Sequence, residues 1–317
     1  MPEIGYFMGS EEHGPRQLVA QAEQVEAAGF RSVWISDHFH PWTGSQGQSP
    51  FVWSVIGGVA ATTRLEVTTA VTCPTMRIHP AIVAHAAATC SIMLDGRFRL
   101  GVGSGENLNE HVLGDPWPRA GIRLEMLEEA IDVMRKLWTG EQVNYEGDYF
   151  VVDNARLYSV PEEPPPVLMS AFGDASVRVA ARVADGYVGI KPARELLERY
   201  VSEGGKGPKL GGLKVCWAED EATARKTAHQ LWRNEALPGQ LGQELPLPVH
   251  IEQACELVTE DMVAEAFPCG PDPERHAGAI RQYLDAGYDG VYLQQMGKDL
   301  AGFLDFYRRE VEPRLDL

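Results

Sequence analysis

The chain has no C-x-x-C pair, no Lys/Arg-rich tract and no uninterrupted apolar run of the roughly 18 residues that a membrane helix needs. Each absence removes a class of function. The five cysteines, Cys73, Cys90, Cys216, Cys255 and Cys269, are scattered and odd in number, so neither a disulfide framework nor a zinc knuckle is indicated and a reducing compartment is expected. A formal charge of −17 with no basic tract to offset it disfavours nucleic acid and anionic membrane, so any anionic ligand needs a local site. The first residues, Met1-Pro2-Glu3-Ile4-Gly5-Tyr6, carry no basic stretch followed by an apolar run, and a soluble, cytoplasmic protein is expected. Low-complexity tracts, short repeats and dividing linkers are also missing. One domain over residues 1–317 is expected, and 44% hydrophobic residues are enough for a large core.

What the chain does contain is alternation. Strand-like segments at Ile4–Met8, Ser32–Ile35, Leu65–Val71, Phe98–Val102, Val167–Ala171, Gly186–Ile190, Lys214–Ala218 and Val291–Gln294 are separated by helix-like ones, among them Arg16–Ala28, Pro80–Met93, Ile122–Trp138 and Ser176–Ala184. Glycine comes soon after these helices, at Gly29, Gly96, Gly140 and Gly186, as a helix stop should. Strands separated by helices pair in parallel through right-handed crossovers, and eight units in a chain of this length predict an α/β fold of the (β/α)₈ TIM-barrel type. Two insertions interrupt it. A β-hairpin is expected near 141–160, around Glu146-Gly147-Asp148, and a helical insertion over the barrel mouth near 234–273.

Candidate chemistry sits behind the strands. Asp37-His38-Phe39-His40-Pro41-Trp42 comes after strand two, and an imidazole there can accept or return a proton at neutral pH. Strand four runs into Gly103-Ser104-Gly105-Glu106-Asn107-Leu108-Asn109-Glu110, where glycines let backbone approach a ligand. Glu106 occupies the place of the last glycine of G-x-G-x-x-G, and no helix start is evident, which argues against a dinucleotide fingerprint. Glu11 lies just past strand one. Loops after strands one, two and four open on one face of a barrel, so Glu11, His38, Trp42 and Glu106 are predicted to meet there. His38, His40, His79, His85 and His111 include one tight H-x-H pair and no carboxylate-rich pattern, so no metal is expected.

The segments Asp37 to Trp42, Cys73-Pro74-Thr75-Met76-Arg77-Ile78-His79-Pro80, Gly101 to Glu110 and Ala184-Asp185-Gly186-Tyr187 resemble the luciferase-like superfamily, and within it the coenzyme F420-dependent glucose-6-phosphate dehydrogenase group. The resemblance spans nearly the whole chain. It implies a (β/α)₈ barrel with insertions, a deazaflavin at the carboxyl ends of the strands, and hydride passing from an alcohol carbon to C5 of the ring. His38 is implied as base on the substrate hydroxyl, Trp42 as a stabiliser of developing charge, Glu106 as the acid that protonates N1, and Glu11 as a wall of the substrate pocket.

Asp37 and Asn109 are implied to hydrogen-bond the cofactor. A non-proline cis peptide at Ala70-Val71 is implied behind the ring, with Cys73 nearby, and the cofactor phosphate is implied at Ala171, Phe172 and Gly173 before a helix. Ala70, Cys73 and Phe172 depart from the residue types of the dehydrogenase pattern. Lys191 is the nearest counterpart of a substrate-phosphate ligand, and the insertion over 234–273 contains no lysine or arginine. The expected function is therefore an F420-dependent alcohol or sugar dehydrogenase, the sugar phosphorylated or not, working as a homodimer. An FMN-dependent monooxygenase and a non-catalytic flavin-binding barrel stand as alternatives.

Overall fold

The computed structural model describes residues 2–315. Eight parallel strands close into a barrel: β1 (Glu3–Met8), β2 (Ser32–Ile35), β3 (Glu66–Thr69), β4 (Phe98–Val102), β7 (Val167–Ser170), β8 (Gly186–Gly189), β9 (Lys209–Val215) and β10 (Gly290–Gln295), with β1 paired to both β2 and β10. The remaining two, β5 (Val143–Glu146) and β6 (Val151–Ala155), form the antiparallel hairpin between β4 and β7. Helices α1 (Pro15–Ala27), α2 (Val52–Thr62), α3 (Pro80–Met93), α5 (Ala120–Leu137), α6 (Asp174–Val183), α7 (Arg194–Ser202), α8 (Glu221–Trp232), α12 (Pro273–Ala286) and α13 (Leu300–Phe306) lie between the strands or after the last. Proline opens α1 and α3 at a position whose N–H would be unpaired anyway, and Gly287, at φ 109°, ends α12.

Barrel strands covered on both faces read as continuous apolar runs rather than alternating ones, and β2 and β10 are buried throughout. Side chains of Phe7, Trp34, Leu168, Val188, Leu210 and Tyr292 fill the barrel interior. Trp34 and Tyr292 stack with centroids 4.4 Å apart, and Phe7 meets Trp34 edge-on. Glycine makes the room: a Cβ on Gly5 would come 2.3 Å from the Tyr292 ring.

That requirement explains the strand predicted at Lys214–Ala218, which in fact begins at Lys209. Gly211-Gly212 looks like a break, yet both residues lie in β9. A Cβ at Gly211 would strike Tyr283, and one at Gly212 would stand 3.1 Å from Trp34. The strand predicted at Leu65–Val71 ends at Thr69, and the Ala70-Val71 peptide after it is cis, as the resemblance implies.

Between α8 and α12 the helical insertion consists of α9 (Leu241–Glu244), α10 (Pro248–Ala254) and α11 (Glu260–Ala266). Its Ile251, Cys255 and Val263 share a second apolar cluster with Leu108, Cys216, Trp232 and Met296, against which Trp42 also packs. Those partners stand in or beside the segments after β4, β9 and β10, so the insertion is fastened to the carboxyl-end face. Side-chain bonds fix it further. The Gly44 N–H donates to Glu252 at 2.7 Å, and Asn107 Nδ2 donates to the Glu244 carbonyl at 2.9 Å.

Candidate active site

At the carboxyl ends of β1 and β2, the loops bring Glu11, Ser36 and His38 together. The Ser36 hydroxyl donates to Glu11 Oε2 at 2.9 Å and accepts from the Ser10 N–H at 2.9 Å. The other carboxylate oxygen, Oε1, lies 3.4 Å from His38 Nδ1, a distance at which the pair attracts without forming a well-made hydrogen bond. A carboxylate facing Nδ1 favours the proton on that nitrogen and leaves the Nε2 lone pair as the basic position. Nε2 has no protein partner among the described residues. The Trp42 ring stands edge-on to the imidazole, with centroids 5.1 Å apart, and Gln46 Oε1 accepts from the Trp42 N–H. Glu11 thus faces the imidazole directly, a relation that its position after β1 alone does not reveal.

The second half of the site is built from the loop after β4. Contrary to the expectation that no helix starts there, α4 (Asn107–Glu110) does, with Glu106 at its N-cap. The turn is short because Gly105, at φ 78°, packs against Cys73 and Glu110. Asn109 Oδ1 accepts from the N–H groups of Phe39 and His40, at 2.9 and 3.1 Å, which ties this loop to the one after β2. Its Nδ2 is buried with no partner. His40 Nδ1 donates to the Leu108 carbonyl at 2.8 Å, a structural role. His79 caps α3 and His111 bonds the Asn107 carbonyl, so these two and His40 are engaged separately. Among the described residues no group of three or more His, Cys, Asp or Glu is placed to hold a metal ion.

Asp37 is buried and occupied: its Oδ1 accepts from Arg77 Nη2 at 2.8 Å and its Oδ2 from the Thr72 hydroxyl at 2.8 Å. Arg77 also faces Glu110, whose carboxylate accepts from the Arg77 N–H at 3.0 Å and approaches Nε at 3.7 Å. Burial pushes the Glu110 carboxyl up to about 7, although Arg77 pulls it down. Arg77 and Thr72 carry no local signal of this role. Three loops become one wall only when the barrel brings the segments after β2, β3 and β4 side by side.

Cys73 is buried with its Sγ 3.0 Å from the Thr75 hydroxyl, and burial raises its thiol well above the usual range. Ala70 and Val71 pack against the interior aromatic layer, and a Cβ on Gly103 would meet Val71 at 2.6 Å. The Ala171 carbonyl accepts from the Tyr187 hydroxyl, Phe172 is half exposed, and Gly173 is the N-cap of α6, with open space where a Cβ would stand. Lys191 is exposed two residues past β8, and its carbonyl accepts from the Tyr288 hydroxyl.

F420-dependent glucose-6-phosphate dehydrogenases of Segniliparus rotundus and Microbacterium testaceum are 35% and 34% identical to the chain, over 99% and 98% of its length and 98% and 97% of theirs. A solved F420-dependent secondary alcohol dehydrogenase, in complex with an F420–acetone adduct, superposes with a TM-score of 0.91 at 30% identity, covering 100% of this chain and 99% of that one. The luciferase-like monooxygenase profile matches residues 2–290, and the chain belongs to the luciferase-like family.

Proposed function

We propose that the protein is a coenzyme F420-dependent oxidoreductase that moves a hydride between the CH–OH carbon of an alcohol or sugar and the deazaflavin. The observation that carries this is His38, oriented through Nδ1 by Glu11, flanked by Trp42 and open at Nε2. When bound, the deazaflavin supplies the hydride acceptor at C5. His38 Nε2 takes the hydroxyl proton as the carbon gives up its hydride, so the alcohol leaves as a carbonyl compound. Trp42 shields the developing charge from water, and Glu106 supplies the proton for N1.

The residues present suit such a guest. Asn109 offers an unspent buried donor, Asp37 is locked by Arg77 and Thr72, and Ala70, Val71 and Cys73 form a dry backing. Ala171, Phe172 and Gly173 precede a helix of ten residues whose amino end favours a phosphate. Lys191 at the rim is the candidate contact for a substrate phosphate, and the assay separates this. F420 absorbance followed with alcohols, glucose and glucose 6-phosphate gives reduction by at least one of them, and Lys191→Ala raises KM for a phosphorylated substrate alone. Tight FMN binding without F420 affinity overturns the cofactor assignment.

For the homodimer implied by the resemblance, the candidate interface is the apolar groove beside α2 and α3, where Phe51, Ile82 and Met93 are 57%, 60% and 46% exposed. Ile82→Asp is expected to convert a dimer to monomer in sedimentation; a monomeric wild type sinks the assignment. A cytoplasmic place of action agrees with five buried free cysteines, and secretion of the native protein in a fractionation experiment contradicts it. Among the described residues no helix is long and apolar enough to cross a membrane.

A further inference from the structure

Alternate residues of a barrel strand point inward, so the layer above Phe7, Trp34, Leu210 and Tyr292 is set two residues further along each strand. Gly9 and Ser36 stand there just past β1 and β2. Gly212 is the member on β9 with Lys214 beyond it, and Gln294 is the layer's member on β10. Gln294 and Lys214 are register partners. A Cβ on Gly9 would lie 2.4 Å from Gln294 Nε2 and 3.4 Å from Glu11 Oε2, so amide and carboxylate border the same spot at the floor of the mouth.

The polar groups of this floor are engaged, with one exception. Ser36 is bonded to Glu11 and Ser10. Lys214 Nζ lies 3.1 Å from Glu235 and 4.6 Å from the Trp232 ring centroid. Gln294 is 1% exposed, and neither its Oε1 nor its Nε2 has a partner. A buried amide with both ends unspent is costly unless a ligand meets it.

From this we propose that Gln294 is a specificity residue which binds a second, uncharged hydroxyl of the substrate, close to the carbon that reacts at His38. It rests on the function proposed above and names its substrate class as a polyol or sugar ring. A hydroxyl both donates and accepts, which answers Oε1 and Nε2 together. A phosphate only accepts. It would satisfy Nε2, face Oε1 and lie against the Glu11 carboxylate, with the neighbouring Lys214 already held by Glu235.

The test uses trans-cyclohexane-1,2-diol and cyclohexanol with the full chain, wild type and Gln294→Met. Binding is measured by ligand-observed NMR, F420 reduction by absorbance, and F420 affinity by fluorescence. Wild type is expected to prefer the diol by about 10–100-fold in kcat/KM and to bind it more tightly, and Gln294→Met to erase that preference. If F420 neither binds nor is reduced, the oxidoreductase assignment fails, and the diol preference in binding still decides the role of Gln294. A wild type that does not distinguish the two compounds, including by holding neither, overturns the proposal. So does a folded Gln294→Met that keeps the preference, since a purely structural amide would lower both values alike.

Discussion

His38→Ala is expected to lower turnover by about 10²–10⁴-fold while F420 still binds, a result to be read from steady-state F420 reduction beside a fluorescence titration. The size is set by what the imidazole does. Its Nδ1 faces Glu11, at 3.4 Å, so removal of the ring would leave no imidazole at that position turned by a neighbouring carboxylate. Water is a poor substitute. It is a weaker base than an imidazole. The loss should fall on kcat and kcat/KM together, because the proton is transferred in the transition state and not in the ground-state complex. A His38→Ala enzyme with undiminished turnover would remove the residue from the mechanism.

The second large effect is on the protein rather than on the reaction. Arg77→Met is expected to destabilise the fold by about 3–5 kcal/mol in urea denaturation, because it strands two buried carboxylates, Asp37 and Glu110, that the guanidinium neutralises. The deficit depends on pH, and the sign is set by Glu110. Its folded carboxyl is raised to about 7 from an ordinary 4.5. Below that ordinary value both states are neutral and the contribution to stability is fully present. As pH rises through about 7 the folded state must give up a proton that the unfolded chain released earlier, and that contribution is lost. Arg77 lowers the cost of this ionisation, so its removal is felt more at about pH 8 than at about pH 6. Glu110→Gln in the Arg77→Met background should narrow the gap at the higher pH. A deficit independent of pH would mean that Glu110 is not coupled to Arg77.

The outline of the fold was legible because short, mostly buried apolar strands and helix-stopping glycines are local signals. Seven of the strands lie where apolar runs predict them. The displaced one, β9, hides behind Gly211-Gly212, whose meaning comes from rings donated by α12 and β2. The grouping of Glu11, His38 and Trp42 was legible for a different reason: they sit in loops just past strand ends, and a barrel gathers those ends on one face. Arg77, Thr72 and Gln294 were not. Each takes its role from atoms on other strands or loops, and a lone arginine or glutamine in sequence carries no mark of that company. The resemblance implies Asp37 as a cofactor contact, and the structure adds that its two oxygens also hold Arg77 and Thr72.

The ring stack of Trp34 on Tyr292 also decides the traffic of the molecule. It fills the middle of the barrel, so a compound bound against His38 has no way through from the amino-end face and is expected to come and go on the carboxyl-end side. Reactant and product would then share that side, and a compound lodged there would be expected to block both without touching His38.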